Sequence, residues 1–398
     1  MSPPPRPHPL ARSRFAAWAD RSMAWSWSSG LSPKPPLDPE FLWAKGSAGF
    51  DAADESAGRE ARDVADFRAR LAALCDALAG EARLNALGHA MAYGQLKPAI
   101  RTRHALGRMW RKRPELAQTP IAPPIVVVGQ MRAGTTRLHR LLAADPRHAG
   151  TRLCNSIEPV PRKPDIRPLR CALGLALARR INPWLDTLHP FGATRVDEEF
   201  GWLGAALNHG LYEAQWRIPG FVAWSEARDP APVYRELARM LRSDAAVMGN
   251  AGKPRVLKCP QYAEDLPALL AQFPDARVVV ARRDSREVLD STVSVVASQM
   301  AYQSDHASLD AIEREWERKL ALREARLETA LAGFGGPLAE VDFADLNRDW
   351  HGEIERVYAV LGLDLTPAAL AAMEKEQAAA TKSAHRLHAD AYRQFARA

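Results

Sequence analysis

The apolar residues of this chain follow two rhythms. Between Asp63 and Arg113 they recur every three or four positions, with Phe67, Leu71, Leu74, Cys75 and Leu78 on one face, a spacing that predicts helices. Lys97-Pro98 interrupts the second helical stretch. From Pro124 onward, short continuous apolar runs take over: Ile125-Val126-Val127-Val128, Arg255-Val256-Leu257, Arg277-Val278-Val279-Val280-Ala281 and Leu338-Ala339-Glu340-Val341. Their length and β-branched content predict buried strands. A helix is predicted over Glu264–Gln272, between the second and third of them. Strands alternating with helices predict an α/β fold: a central parallel sheet covered by helices, three layers in all. Ligands of such a sheet bind at the C-terminal ends of the strands.

The remaining segments divide the chain further. Residues 1–40 form an arm rich in Pro and Trp, 41–118 a helical region, 119–365 the α/β core, and 366–398 a C-terminal helix and tail. Ser2-Pro3-Pro4-Pro5 and Ser32-Pro33-Lys34-Pro35-Pro36 cannot lie inside helices. Trp18, Trp25 and Trp27 predict that part of the arm packs on the body, since disordered segments are poor in aromatic residues.

Charge narrows the function classes. The net charge is +7, but 54 basic residues are interleaved with 47 acidic ones and no Lys/Arg block stands out, so a nucleic-acid partner is not expected and an anionic small ligand is. Cys75, Cys154, Cys171 and Cys259 form no C-x-x-C pair, which argues against a zinc knuckle or dithiol site and for reduced thiols in a cytoplasmic protein. Met1–Leu10 has no apolar h-region, and no apolar run reaches the length of a membrane span. Cys171–Ala178 comes nearest, bracketed by Arg167, Arg170, Arg179 and Arg180. The expected reading is a short buried helix with arginines at its ends; the other is a helix lying on a membrane surface or beside an apolar substrate.

The strand at Ile125 leads into Gly129-Gln130-Met131-Arg132-Ala133-Gly134-Thr135-Thr136 and then into an apolar-periodic helix. Gly129 and Gly134 keep the spacing of a phosphate-binding P-loop, G-x-x-x-x-G-K-[ST], but Thr135 stands where the lysine belongs. That lysine clamps the phosphates of a nucleoside triphosphate. Without it the loop still offers backbone N–H groups and a helix N-terminus to an anion, and Arg132 adds a cation. Two further cations lie just past predicted strand ends: Lys258 in Lys258-Cys259-Pro260, and Arg283 in Arg282-Arg283-Asp284, where Asp284 is a candidate N-cap.

These three motifs, with Glu81–Asn85 and Asp342–Leu346, identify residues 38–375 as resembling the sulfotransferase family, in particular bacterial members related to the tyrosylprotein sulfotransferases. The resemblance implies a P-loop-like fold and a donor, 3′-phosphoadenosine 5′-phosphosulfate, that leaves as adenosine 3′,5′-bisphosphate. It implies that Arg132, Ala133, Gly134, Thr135 and Thr136 hold the 5′ group, that Arg283 and Ser291 hold the 3′-phosphate, and that Lys258 reaches the bridging oxygen. Ala133 departs from the family's usual Ser or Thr, and Arg137 from its usual apolar residue. The reaction implied is in-line transfer to a hydroxyl or amine, with Arg132 and Lys258 stabilising the leaving oxygen and no metal.

Cytosolic relatives place a His two residues after the Lys, where this chain has Pro260. The tyrosylprotein-type relatives use a Glu after the first helix, and here Glu158 before Pro159 is taken as the general base. Glu198, Glu199 and His189 compete with it; the acidic cluster can also be the first turn of a helix. His139, on the helix after the loop, is read as structural. Trp184, Phe191, Trp202, Trp216 and Trp224 lie between the donor motifs, as core or as an acceptor pocket. Carbohydrate, lipid, phenol and peptide acceptors stay open, as do membrane-surface contact and oligomeric state. Thr381–Arg386 is a candidate cover for the 3′-phosphate. The alternatives are an atypical P-loop kinase or NTPase, and a donor-binding protein without catalysis.

Overall fold

A computed structural model describes residues 6–381. Its centre is a five-stranded parallel sheet in the order β2-β3-β1-β4-β5. The strands are β1 (Ile125–Gly129), β2 (Ala149–Gly150), β3 (Arg255–Lys258), β4 (Arg277–Arg282) and β5 (Leu338–Asp342). The four apolar runs read from the sequence are β1, β3, β4 and β5; β2, two residues long, carries no such signal.

Side-chain alternation splits the strands between two cores. Val126, Val128, Leu257, Val278 and Val280 pack on one face, against the helices Ala231–Val247 and Tyr262–Leu270. Ile125, Val127, Val256, Val279 and Ala281 pack on the other, against the loop helix Thr135–Ala144 and the helix Ser285–Met300. Lys258 follows Val256 by two residues, so its side chain leaves β3 on the face that carries the loop helix. The chain runs from central β1 to β2 and β3 on one side, then crosses to β4 and β5 on the other. The C-terminal ends of β3, β1 and β4 therefore lie next to one another at the switch, which is where this fold class builds its sites.

The helical region before the sheet shares its core with later residues: Leu42, Phe67, Leu71, Leu96 and Ile100 pack with Leu207, Tyr212, Trp216 and Phe221. Its long helix, Ala86–Lys112, runs on through Pro98 instead of breaking there. Pro98 and Gly94, one turn before it, both line the central cavity. The arm forms a helix of its own, Arg14–Ser28, held through buried Ala16 and Ala19 and through Trp27 against His89, while Trp18 and Trp25 point outward.

The run at Cys171 corrects its expectation. It forms the helix Arg167–Ile181, but only Arg167, Cys171 and Leu175 of that helix are buried; its outer face is apolar and exposed. No helix among the described residues is long and apolar enough to cross a membrane.

Candidate active site

The loop after β1 is shaped by close approach. Gly134 has φ 89°, which favours glycine, and a Cβ there would lie 2.4 Å from the Phe343 ring. Arg132 also has a positive φ, 72°, which is rare outside glycine and turns its carbonyl and guanidinium to different partners. The guanidinium donates through Nε to Ser291 Oγ (2.9 Å) and through Nη1 to the Leu188 carbonyl (2.9 Å). The carbonyl accepts from Arg283 Nη1 at 2.8 Å. Burial, and then the neighbouring Arg283 charge, push the Arg132 guanidinium down to about 10, so it stays cationic at neutral pH. Arg283 also pairs with Glu287 (2.7 Å) and lies over the Phe343 ring, 4.5 Å from its centroid. Asp284 caps the following helix by accepting from the N–H groups of Arg286 and Glu287, as its position predicts.

The amides of Thr135 and Thr136 open the loop helix, where intrahelical partners are lacking, and point to the same end. Ala133 does something else: its methyl is buried in the core beside the loop helix and its N–H donates to the Gln130 carbonyl. It shapes the turn and does not line the site, so it is set aside as a ligand contact.

Lys258 is almost fully buried. Its ammonium donates to Thr136 Oγ1 (3.0 Å) and forms a tight ion pair with Glu198. Beside it, His189 Nε2 lies 3.1 Å from an Asp197 oxygen. Burial alone raises the Asp197 carboxyl, but His189, and then Lys258 and the Glu198 N–H, outweigh it and hold the group well below the usual carboxylate range. His189, Asp197 and Glu198 bring candidate ligand atoms within 4.8 Å of one another, a cluster the sequence does not announce, although Asp197 already bonds to His189 and Glu198 already pairs with Lys258.

Glu158 is not part of this arrangement. It caps the short helix Leu153–Ile157, and its carboxylate turns away to Arg170 (2.7 Å) and Arg162 (3.4 Å). Ser156 and Ile157 line the cavity and Glu158, the expected base, does not, whereas the carboxylate of its competitor Glu198 does. The acidic cluster does precede a helix, Phe200–Ala205, but makes no side-chain cap there. His139 is buried against the Val256 carbonyl and pushed down to about 3, chiefly by burial, so it is a neutral structural group, as its position on the helix predicts. Arg137 points to Asn347 (2.7 Å) and Gln377 (3.2 Å), tying the loop helix to the C-terminal helix Pro367–Thr381. Beyond Thr381, the proposed covering segment lies outside the described residues.

Arg132, the start of the loop helix, Arg283, His189, Asp197 and Glu198 face one cavity of about 1510 Å³, with Lys258 buried behind Thr136 and Glu198. Arg132, Gly134, Thr135, Thr136, Arg283 and Ser291 line one part, and Glu198, Asp197 and His189 line the middle. Leu175, Leu177, Ile181, Leu185, Phe191 and Leu211 supply apolar wall. Of the five aromatic residues singled out between the motifs, Trp184, Trp202 and Trp216 are buried, Trp224 packs partly buried on the helical region's core, and Phe191 lines the cavity, as do Phe200 and Tyr212.

Glu199, next to the floor, accepts from the Tyr262 hydroxyl (3.0 Å) and the Lys258 N–H (3.1 Å). Burial, only partly offset by such bonds, pushes its carboxyl from 4.5 up to about 7. Between those values the folded chain keeps a proton that the unfolded chain has lost, so this group's contribution to stability is present below pH 4.5 and lost as pH rises through 7. Glu199→Gln removes the effect. Relative to wild type, its unfolding free energy is expected to gain about 3 kcal/mol from pH 4.5 to pH 7. Denaturant titrations at the two pH values check this, and a constant difference contradicts it.

The sequence profile of the sulfotransferase family matches residues 123–367. An omega-hydroxy-beta-dihydromenaquinone-9 sulfotransferase, Stf3, of Mycobacterium bovis is 29% identical over 185 residues, 45% of this chain and 46% of that protein. The match thus spans about half the length of this curated relative. The crystal structure of sulfotransferase STF1 of Mycobacterium tuberculosis superposes with a TM-score of 0.75 at 28% identity, over 86% of this chain and 94% of the other. STF9 of Mycobacterium avium has the same fold, with a TM-score of 0.74 at 18% identity over 86% and 88% of the two chains.

Proposed function

We propose that this chain, which belongs to the sulfotransferase family, transfers a sulfuryl group from 3′-phosphoadenosine 5′-phosphosulfate to the hydroxyl of an apolar acceptor. The observation that carries this reading is the meeting of three separate motifs at one end of one cavity. Arg132 and the amides of Thr135 and Thr136 suit a 5′ anion. Arg283, exchanging Glu287 for a phosphate, suits the 3′ group that distinguishes this donor from common nucleotides. Ser291, already bonded to Arg132, lines the same end.

The donor supplies an activated sulfuryl group; the residues orient it and manage a proton. Lys258 stabilises negative charge growing on the leaving phosphate oxygen, aided by Arg132. Glu198 pairs with Lys258, and when Lys258 turns to the donor the carboxylate is free to take the acceptor's proton. His189, held by Asp197, borders the same space. The apolar wall supports a hydrophobic acceptor, and the hydroxylated dihydromenaquinone in the name of the Mycobacterium bovis relative is of that kind.

Label transfer tests the reading. Radiolabelled donor incubated with the full chain and a panel of long-chain alcohols, hydroxylated quinones and simple sugars is expected to label the apolar alcohols. Labelling of sugars alone contradicts the acceptor class; labelling of none, with ATP hydrolysed instead, favours the NTPase alternative.

A further inference from the structure

A helix that rests one face on a protein ordinarily turns polar residues to water. Arg167–Ile181 does not: Leu169 is 62% exposed, Leu173 64% and Leu177 52%. Their spacing of four places the three leucines along one side of the helix. Ala172, Gly174 and Ala176 between them are exposed too, so this face holds no polar side chain from Cys171 to Ala178.

Cations surround the apolar strip. The helix carries Arg170, Arg179 and Arg180 near its ends and no acidic residue of its own, Arg170 pairing with Glu158 and Arg179 with Asp186 from neighbouring segments. Arg180 is exposed, as is Lys163 before the helix, and neither has an acidic partner among the described residues. The helix Arg14–Ser28 is pinned to the end of the strip, where Ser13 Oγ donates to the Ile181 carbonyl at 2.8 Å. It adds Trp18 and Trp25, 57% and 63% exposed and, seven residues apart, on one face.

The strip also continues into the active site. Gly174, Leu177, Ala178 and Ile181 line the catalytic cavity, so Leu177 belongs to the outer surface and to the cavity wall at once.

We propose that this face docks on an anionic lipid bilayer. The leucines enter the boundary between headgroups and acyl chains, the flanking cations meet lipid phosphates, and an apolar acceptor passes from the membrane along Leu177 into the cavity. A second copy of the chain would also cover the leucines, but a two-fold contact would bring the cationic rim against itself; an anionic bilayer satisfies both halves of the surface. Delivery of an acceptor rests on the sulfotransferase reading, whereas docking does not.

Vesicle flotation of the full chain tests it, with binding of adenosine 3′,5′-bisphosphate measured in parallel. Wild type is expected to float with phosphatidylglycerol-containing vesicles and much less with phosphatidylcholine alone. Leu169→Glu with Leu173→Glu, both away from the cavity lining, is expected to weaken binding by on the order of tenfold or more while leaving nucleotide affinity unchanged. Lys163→Glu with Arg180→Glu is expected to abolish the preference for the anionic lipid. Wild type that does not float, or leucine variants that float equally, overturns the proposal, as does a dimer that the leucine variants dissociate without any vesicle binding. Vesicle binding without nucleotide binding upholds the docking face and removes the sulfotransferase reading instead.

Discussion

Lys258→Ala is expected to lower the rate of transfer at saturating donor by about 10²–10³-fold, the usual effect of removing one preorganised donor aimed at developing charge. Lys258 suits that task because it has almost no freedom. Strand alternation sends it onto the face of the loop helix, the chain buries it, and Thr136 and Glu198 hold its ammonium at the cavity floor. The substitution also leaves Glu198 without its partner, and an uncompensated charge in such a place can cost several kcal/mol of stability. The double variant Lys258→Ala with Glu198→Gln therefore serves as control: it is expected to recover unfolding midpoint but not turnover. Single-turnover rates and denaturation curves on the three proteins separate the two effects. A Lys258→Ala enzyme that turns over normally removes the lysine from the chemistry.

Glu198→Gln is expected to lower turnover by about 10²–10⁴-fold, the range for a positioned general base. Affinity for adenosine 3′,5′-bisphosphate is expected to hold or rise, because the substitution frees Lys258 from its ion pair. His189→Ala is the comparison. It leaves Glu198 and Lys258 in place, so a loss from His189→Ala larger than that from Glu198→Gln would transfer the base to the His189–Asp197 pair.

What the sequence disclosed and what it withheld follow from the range of the forces involved. β1, β3 and β4 were legible because burial on both faces leaves a near-continuous apolar signature, whereas the edge strand β5 alternates, with Ala339 and Val341 buried and Glu340 and Asp342 exposed. The turn after β1 was legible because its glycine spacing is a local backbone requirement. The nearness of Arg132, Lys258 and Arg283 was legible because strand ends converge by topology, whatever the intervening segments do. The placement of the candidate bases was not. It depends on how residues 189–199 fold back over β3, and the step before Pro159 turns Glu158 outward to Arg162 and Arg170.

The helix Arg167–Ile181 was misread for a related reason. An apolar run without periodicity says that a surface is hydrophobic, not that protein covers it. Nor could pattern reveal the buried network in which Lys319 and Arg323 meet Glu213 and Glu264, with His209 beside them. Each charge taken singly predicts exposure, and only the fold brings these partners together.

Calorimetric titration with adenosine 3′,5′-bisphosphate, against AMP and ATP, tests the donor assignment most directly. Binding is expected to require the 3′-phosphate, and Arg283→Ala is expected to erase the preference over AMP while leaving the fold intact, since that guanidinium is partly exposed and its Glu287 partner lies in solvent. Equal binding of AMP by wild type, or a preference for ATP, contradicts a 3′-phosphate site and with it the proposed donor.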